Sequence, residues 1–120
     1  MSRDARVLVV DDLDILDLLD GFLTEEGYQV KTALNGGQAL SVASEWCPDV
    51  ILLDMMMPVV DGRAFLAKQQ EDAELAPVPV IVMSASSEFQ AQSQDLGAAA
   101  FVAKPFDIDH LLASVDRLTV

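Results

Sequence analysis

The sequence predicts an α/β domain in which a parallel sheet is covered by helices on both faces. Three continuous runs of apolar, mostly β-branched residues, at 7–10, 50–53 and 80–83, are typical of strands buried on both sides. Stretches with apolar residues at helical spacing lie between these runs. A chain that alternates strand and helix in this way needs right-handed crossovers, which favour a parallel sheet. The 120 residues fit one domain, 1–120, with its core at about 5–119.

The first half of the chain contains two strand-helix pairs. The strand at 7–10 precedes a helix that we expect to end near Gly27, because glycine is favoured just after a helix. The apolar face of this helix is formed by Ile15, Leu16, Leu19, Phe22 and Leu23. A weaker strand candidate covers 28–33, and the second helix ends before Pro48. The apolar positions of the second helix are Ala39, Leu40, Ala43 and Trp46.

The second half repeats this alternation. A third helix is predicted from about 63 to 75 after the strand at 50–53, and a fourth from about 87 to 96, after the strand at 80–83. A weaker strand candidate covers 100–103. The last helix has the clearest pattern, and Asp107 is placed to cap its first turn. Its apolar positions are Ile108, Leu111, Leu112, Val115 and Leu118.

Composition excludes several classes of function. Acidic residues outnumber basic ones 20 to 7, and the formal charge of −13 argues against direct binding to nucleic acid or to an anionic membrane. A single cysteine, Cys47, rules out an intramolecular disulfide. No apolar run approaches the roughly 18 residues that a membrane span needs. We therefore expect a cytoplasmic protein without membrane insertion. Its many carboxylates are compatible with a site for a divalent cation.

Chemically useful side chains stand where the predicted strands end. The first strand runs into Asp11 and Asp12, the third ends at Asp54, the fourth at Ser84, and the fifth runs into Lys104. The carboxyl ends of parallel strands share one edge of the sheet, where ligands of such folds bind. Carboxylates crowded there repel each other unless a cation is present, and oxygen ligands favour Mg²⁺. A carboxylate, a hydroxyl and an ammonium group together suit phosphoryl transfer.

In these segments the sequence resembles the receiver domain of two-component response regulators, including chemotaxis regulators. The matching segments are VLVVDD (7–12), DVILLDMMMPVVDG (49–62), PVIVMSA (79–85) and LGAAAFVAKPF (96–106). Their order and spacing extend the resemblance over essentially the whole chain. The resemblance implies a flavodoxin-like, doubly wound three-layer fold with five parallel strands in the order 2-1-3-4-5 and five helices.

The resemblance also implies a metal and phosphate site. By position, Asp54 corresponds to the phosphoacceptor and Asp12 to the direct carboxylate ligand of Mg²⁺, with Mn²⁺ as a substitute. By the same resemblance, Asp11 would act largely through water, and Met56 would supply a backbone carbonyl to the metal. Lys104 corresponds to the family's lysine, in a Lys104–Pro105 bond expected to be cis.

Two further positions correspond to the family's switch residues, Ser84 for the hydroxyl and Phe101 for the aromatic. The implied function is a phosphorylation-dependent signalling switch, a phosphoacceptor and not an enzyme acting on other substrates. Its implied phosphodonor is a sensor histidine kinase or a histidine phosphotransfer protein. Its effector is expected on the face formed by the fourth helix, the fifth strand and the last helix. The protein is expected to be a monomer or a phosphorylation-dependent dimer, although Ala99 and Ala100 replace a frequent acidic pair.

Other interpretations remain open. The fold can serve as an interaction module without phosphate, although such a module has no need to keep all five polar strand-end residues. A small aspartyl-phosphate hydrolase is the second alternative, but it needs a second carboxylate where Met56 stands. Phe101 can be a plain core aromatic. Asp14, Asp17 and Asp20 form either a solvated helix face or an acidic docking surface for the phosphodonor.

Overall fold

A computed structural model describes residues 5–55, 62–85, 95 and 97–119 of the chain. Strands and helices alternate through these residues as the sequence predicts. The strands are β1 (Arg6–Val10), β2 (Gln29–Ala33), β3 (Val50–Asp54), β4 (Val80–Ser84) and β5 (Ala100–Ala103). The helices are α1 (Leu13–Glu25), α2 (Gly36–Trp46), α3 (Gly62–Glu71) and α4 (Ile108–Leu118). The further helix predicted over 87–96 lies outside the described residues, apart from Asp95, which is helical.

The five strands form one parallel sheet in the order β2-β1-β3-β4-β5. This order confirms the doubly wound, flavodoxin-like topology implied by the resemblance. The chain moves outward from β1 to β2, returns past β1 to β3 and continues to β5. The reversal in strand order therefore lies between β1 and β3, which is where ligands of such sheets bind.

The core has two layers because side chains alternate across the sheet. Leu8 and Val10 of β1 point into the cluster that also holds residues of α2 and α3. Val7 and Val9 point into the opposite cluster, with residues of α1 and α4. All five residues of both β3 and β4 are buried, as the continuous apolar runs predict. Each apolar side chain buried in this way contributes about 1.5–3 kcal/mol to stability.

The helix ends next to the sheet are fixed by short polar side chains. Asp12 caps α1 by accepting a hydrogen bond from the Ile15 amide at 3.1 Å. Asp107 caps α4, as predicted, by accepting from the Asp109 amide at 2.9 Å. These caps satisfy amides that have no partner within the helix. No helix in the described part of the chain is both long and apolar enough to span a membrane.

Two sequence predictions are wrong in detail. The third helix ends at Glu71 and not near residue 75, because the Asp72 carboxylate accepts from the amides of Glu74 and Leu75 at 2.9 and 3.3 Å. An aspartate that binds the amides ahead of it stabilises a turn in place of a helix. Phe22, predicted on the core face of the first helix, is 37% exposed. It lies at the border of that face and contributes to a surface groove.

Candidate functional site

Strand register brings the predicted residues to one edge of the sheet. Val10 pairs with Leu53, so Asp11 and Asp54 are the next residues on two adjacent strands. On the other side of β3, Asp54 pairs with Met83, and Ser84 follows it. The register of β4 and β5 then pairs Ser84 with Ala103, directly before Lys104. The parallel order therefore collects a hydroxyl, an ammonium group and carboxylates from four strands, as predicted.

Asp11 is the most deeply buried charged residue of this group, with no exposed surface. Its Oδ1 accepts a hydrogen bond from the Asp12 amide at 2.7 Å. Its Oδ2 accepts from Lys104 Nζ at 2.7 Å. A buried carboxylate needs such partners, since burial of an unpaired charge is costly. Both oxygens of Asp11 are thus held in place.

Lys104 connects the two strand-end carboxylates. Its Nζ lies 2.7 Å from Asp11 Oδ2 and 3.7 Å from Asp54 Oδ1. The Lys104 side chain is 19% exposed and that of Asp54 is 11% exposed, so both reach the surface only at their tips. The carboxylates of Asp11 and Asp54 thus share one ammonium group at a site from which water is partly excluded. Charge interactions are stronger at such a site than in water.

Asp12 has a different position from its neighbour. Its side chain is exposed, and its Oδ1 caps α1 through the Ile15 amide. An ionised carboxylate has about four lone-pair positions, so a cap on one oxygen leaves capacity for another ligand. The sequence prediction of a ligand and the alternative of a helix cap are therefore compatible at this residue.

Ser84 and Phe101 occupy neighbouring places on β4 and β5. Ser84 is buried, and its carbonyl accepts from the Lys104 amide at 2.9 Å, which fixes the lysine backbone beside the end of β4. The Lys104–Pro105 bond is cis, as predicted. Phe101 pairs with Val82, is half-buried and packs against the cluster shared with α2 and α3. This position suits both a plain core aromatic and a switch residue, and the switching role stays a prediction.

The predicted metal ligands are partly assembled. Asp11 and Asp54 both lie near the ammonium group of Lys104, and the Asp12 side chain is exposed. Met56 lies outside the described residues. In residues 5–55, 62–85, 95 and 97–119, no group of three or more histidine, cysteine or acidic side chains is placed to hold a metal ion. The donor chemistry nevertheless fits Mg²⁺, which is bound through one or two carboxylates and keeps several waters.

One feature beside this site was not predicted from the sequence. A cavity of ≈ 390 Å³ opens next to Lys104 and has almost entirely apolar walls. The residues that line it are Ile15, Leu18, Ala85, Lys104, Pro105 and Phe106. Leu18 is 46% exposed and falls outside the predicted core face of α1. An apolar residue off the core face was the sequence signal that could have revealed this cavity.

Comparisons with known proteins identify the family of this fold and site. The response regulator receiver domain family matches residues 7–116. The Response regulator PleD of Caulobacter vibrioides is 41% identical over 118 residues, covering 96% of this chain and 26% of that protein. Sporulation initiation phosphotransferase F of Bacillus subtilis is 39% identical over 115 residues, covering 93% of this chain and 91% of that protein.

Solved structures agree with the sequence relatives. The chemotaxis response regulator CheY4 of Vibrio cholerae is 30% identical with a TM-score of 0.89, covering 96% of this chain and 98% of that chain. The receiver domain of the Francisella response regulator 1452 is 32% identical with a TM-score of 0.89, covering 97% of both chains. The chain spans about a quarter of PleD, 26%, and 48% of the regulator RpaA of Synechocystis. The chain belongs to the response regulator receiver domain family of two-component signalling.

Proposed function

We propose that the chain is a phosphorylation-dependent switch in which Asp54 accepts a phosphoryl group from a phosphohistidine. The observation that carries this proposal is the ammonium group of Lys104, held 2.7 Å from Asp11 Oδ2 and 3.7 Å from Asp54 Oδ1. Asp54 ends a fully buried strand, so its position is fixed while its tip faces outward. A positioned carboxylate beside a fixed cation is suited to a displacement at phosphorus.

The proposed transfer forms a P–O bond at Asp54 and breaks the P–N bond of the phosphohistidine. An Asp54 carboxylate oxygen attacks the phosphorus atom of the donor, and the new P–O bond gives an aspartyl phosphate. The P–N bond of the donor breaks, and its electron pair returns to the imidazole nitrogen. The donor leaves as neutral imidazole when its other ring nitrogen carries a proton. No other substrate is turned over, so the chain is a phosphoacceptor and not an enzyme in the usual sense.

Lys104 and Ser84 are proposed to stabilise the phosphorylated form. The ammonium group offsets negative charge on the phosphoryl oxygens, and the Ser84 hydroxyl donates a hydrogen bond to one of them. Each is fixed by the sheet, since Ser84 ends β4 and its carbonyl binds the Lys104 amide. Phosphorylation would draw Lys104 away from Asp11 and towards the new charge, which changes the strand-end network.

Asp11, Asp12 and Asp54 are the residues proposed to hold Mg²⁺ or Mn²⁺, together with the carbonyl of Met56. When bound, the cation offsets the charge of the carboxylates and of the incoming phosphoryl group. The two acidic groups already collected at Lys104 support this assignment, because their combined charge exceeds that of one ammonium group.

The partners of the switch follow from the family. A sensor histidine kinase or a histidine phosphotransfer protein is the proposed donor, and an effector is proposed to read the face around β5 and α4. A change at Lys104 biases this face because Lys104 directly follows β5. A shift of a few kcal/mol between two conformations is enough for such a switch.

Intact mass after incubation with Mg²⁺ and acetyl phosphate tests the proposal. We expect the wild-type chain to gain the mass of one phosphoryl group, and Asp54→Asn to gain none. Asp17→Asn is the matched control, because Asp17 is an exposed carboxylate on α1 and its loss leaves the site intact. Failure of the wild-type chain to gain this mass would favour the alternative of an interaction module without phosphate.

A further inference from the structure

Two basic side chains contact one tryptophan beside the first strands of the sheet. The Arg6 guanidinium lies 5.8 Å from the centroid of the Trp46 ring, and the Lys31 ammonium group lies 5.4 Å from it. Both distances are within the range of cation–π attraction. Arg6 pairs with Gln29 in the register of β1 and β2, so Lys31 is its diagonal neighbour on the same face of the sheet. Arg6, Lys31 and Trp46 therefore form one basic–aromatic patch, in which both cations are exposed.

Neither cation of this patch is neutralised by a carboxylate. In the described part of the chain, no carboxylate oxygen lies within 4.0 Å of the side-chain nitrogen atoms of Arg6 or Lys31. Asp49 accepts from the Arg6 backbone amide at 2.8 Å, and Arg6 Nη1 donates to the Trp46 carbonyl at 2.6 Å. The chain has 20 acidic and 7 basic residues, so two neighbouring cations without a carboxylate are unexpected. Their repulsion would be relieved by a negatively charged ligand.

The strand that carries Lys31 is an edge of the sheet. β2 is the first strand in the order β2-β1-β3-β4-β5, and its pairing within the described sheet is with β1. The Gln29 amide donates towards β1 at 3.0 Å, and the Ala33 carbonyl accepts from the β1 side at 3.3 Å. Because backbone groups alternate in direction along a strand, Val30 and Thr32 direct their amides and carbonyls away from β1. Such an edge can pair with another strand.

We propose that the outer edge of β2 and the basic–aromatic patch bind an extended acidic segment of a partner protein. The backbone of this segment would pair with Val30 and Thr32 as a further strand. Acidic residues at alternate positions would lie on the face of the sheet that carries Lys31 and Arg6. In strand addition, main-chain hydrogen bonds supply affinity, and alternate side chains supply specificity. This inference does not depend on the phosphorylation of Asp54.

The charges disfavour other occupants of this edge. A second copy of the chain, paired through its own β2, would bring one Lys31 towards the other, and like charges in an interface are unfavourable. Lysine on an edge strand protects proteins against such self-association. Nucleic acid is disfavoured because two cations neutralise few phosphates and the rest of this chain is strongly acidic. An acidic segment is the strand partner that Lys31 attracts.

A pair of short synthetic peptides tests the occupant. Both alternate threonine with a second residue, which is glutamate in one peptide and glutamine in the other. We expect the glutamate peptide to bind about tenfold more tightly, because it makes opposite-charge contacts with the patch. Binding should change the fluorescence of Trp46, the single tryptophan, and slow hydrogen exchange at the amides of Val30 and Thr32. Equal binding of the two peptides, no binding of either, or protection at other surfaces alone would overturn the inference.

Lys31→Gln tests the charge at the edge. We expect this variant to bind the glutamate peptide about threefold more weakly, because one opposite-charge pair across the strands is lost. Lys68→Gln is the matched control, since it removes the same charge from an exposed position on α3 and should leave the affinity unchanged. If Lys31 served only against self-association, Lys31→Gln would form dimers in sedimentation and bind the peptide as the wild type does. That result would reject its role in binding.

Thr32→Pro tests the backbone pairing. This change removes an outward amide and leaves the hydrogen bonds to β1 in place, and proline is tolerated on an edge strand in this orientation. We expect the variant to keep its circular dichroism spectrum and to lose peptide binding. A folded Thr32→Pro variant that binds like the wild type would contradict strand addition. If the variant does not fold, exchange at Val30 and Thr32 of the wild type decides, and unchanged rates with bound peptide would reject the pairing.

Discussion

Lys104 is the residue on which the strand-end site depends. Its ammonium group is the partner of a fully buried carboxylate, Asp11, and lies near a second, Asp54. Loss of one member of a buried ion pair is costly because it leaves the other charge without compensation. The resemblance implies a role for Lys104 on the phosphorylated form, and the geometry adds a role in the unphosphorylated fold.

Lys104→Met should therefore destabilise the protein before any phosphate is present. We expect the free energy of unfolding to fall by about 3 kcal/mol, because the Asp11 carboxylate is left buried without its cation and keeps only the Asp12 amide. Urea denaturation in the presence of a chelator measures this, since a divalent cation would replace the lost charge. Methionine keeps most of the aliphatic stem, so the change reports mainly on the ammonium group.

Two comparisons define the outcome for Lys104. Lys68→Met, at an exposed lysine on α3, should change the free energy of unfolding by no more than about 0.5 kcal/mol. Asp11→Asn added to Lys104→Met should recover part of the loss, because the fully buried charge of Asp11 is then absent. Equal effects of Lys104→Met and Lys68→Met would show that the ion pair contributes nothing to stability.

The positions of the site residues were predictable from the sequence, but their pairings were not. Residues that end parallel strands must share one edge, so Asp11, Asp54, Ser84 and Lys104 follow from the strand pattern alone. Which oxygen Lys104 contacts depends on side-chain geometry that a strand pattern does not contain. Asp12 shows the same limit, because a strand-end aspartate also suits a helix cap, and here it is one.

At the scale of elements, the connection between α3 and β4 is held by one buried side chain. Gln69 is 1% exposed, and its Nε2 donates hydrogen bonds to the carbonyls of Leu75 and Val78 at 2.8 Å each. These carbonyls belong to a segment without helix or strand, where the Leu75 carbonyl also accepts from the Val78 amide at 3.0 Å. Gln69 therefore replaces the backbone hydrogen bonds that an element would supply.

Gln69→Leu should lower the free energy of unfolding by about 2 kcal/mol, because the Val78 carbonyl loses its donor and the Leu75 carbonyl keeps only the Val78 amide. The dependence of that free energy on urea concentration should stay the same, since the surface exposed on unfolding hardly changes. Lys68→Leu provides the control, because Lys68 is exposed on the same helix. If the two leucine variants were equally stable, Gln69 would not hold this connection.

The segment after α3 also shows why the end of this helix was predicted at the wrong residue. The sequence predicts that the third helix runs from about 63 to 75. The chain leaves the helix after Glu71, because Asp72 binds the amides of Glu74 and Leu75. Strands were predicted more closely, since both faces of a central parallel strand are buried and its apolar run ends within one residue of the strand end.

At the scale of the whole molecule, the formal charge of −13 acts against the compact state. Carboxylates that lie far apart in the unfolded chain are brought together on folding, and their mutual repulsion lowers stability. Asp14, Asp17 and Asp20 lie on the exposed side of one helix, which concentrates this charge. This acidic composition should therefore make stability sensitive to salt.

Sodium chloride should raise the melting temperature even when a chelator removes divalent cations, because salt screens this repulsion. Asp17→Asn, Asp20→Asn and Glu25→Gln together reduce the charge from −13 to −10. This triple variant should melt higher than the wild type at low salt and gain less from added salt. Thermal melts across a salt series measure both effects. A melting temperature independent of salt would mean that surface repulsion does not limit stability.

Chemical mapping locates the phosphorylated residue, which we propose to be Asp54. Borohydride reduces an acyl phosphate to an alcohol and thereby converts the modified aspartate into homoserine, which peptide mass spectrometry locates. After incubation with Mg²⁺ and acetyl phosphate, we expect homoserine at position 54 in the wild-type chain and nowhere in Asp54→Asn. Homoserine at another aspartate such as Asp11 or Asp12, or at none, would contradict the claim.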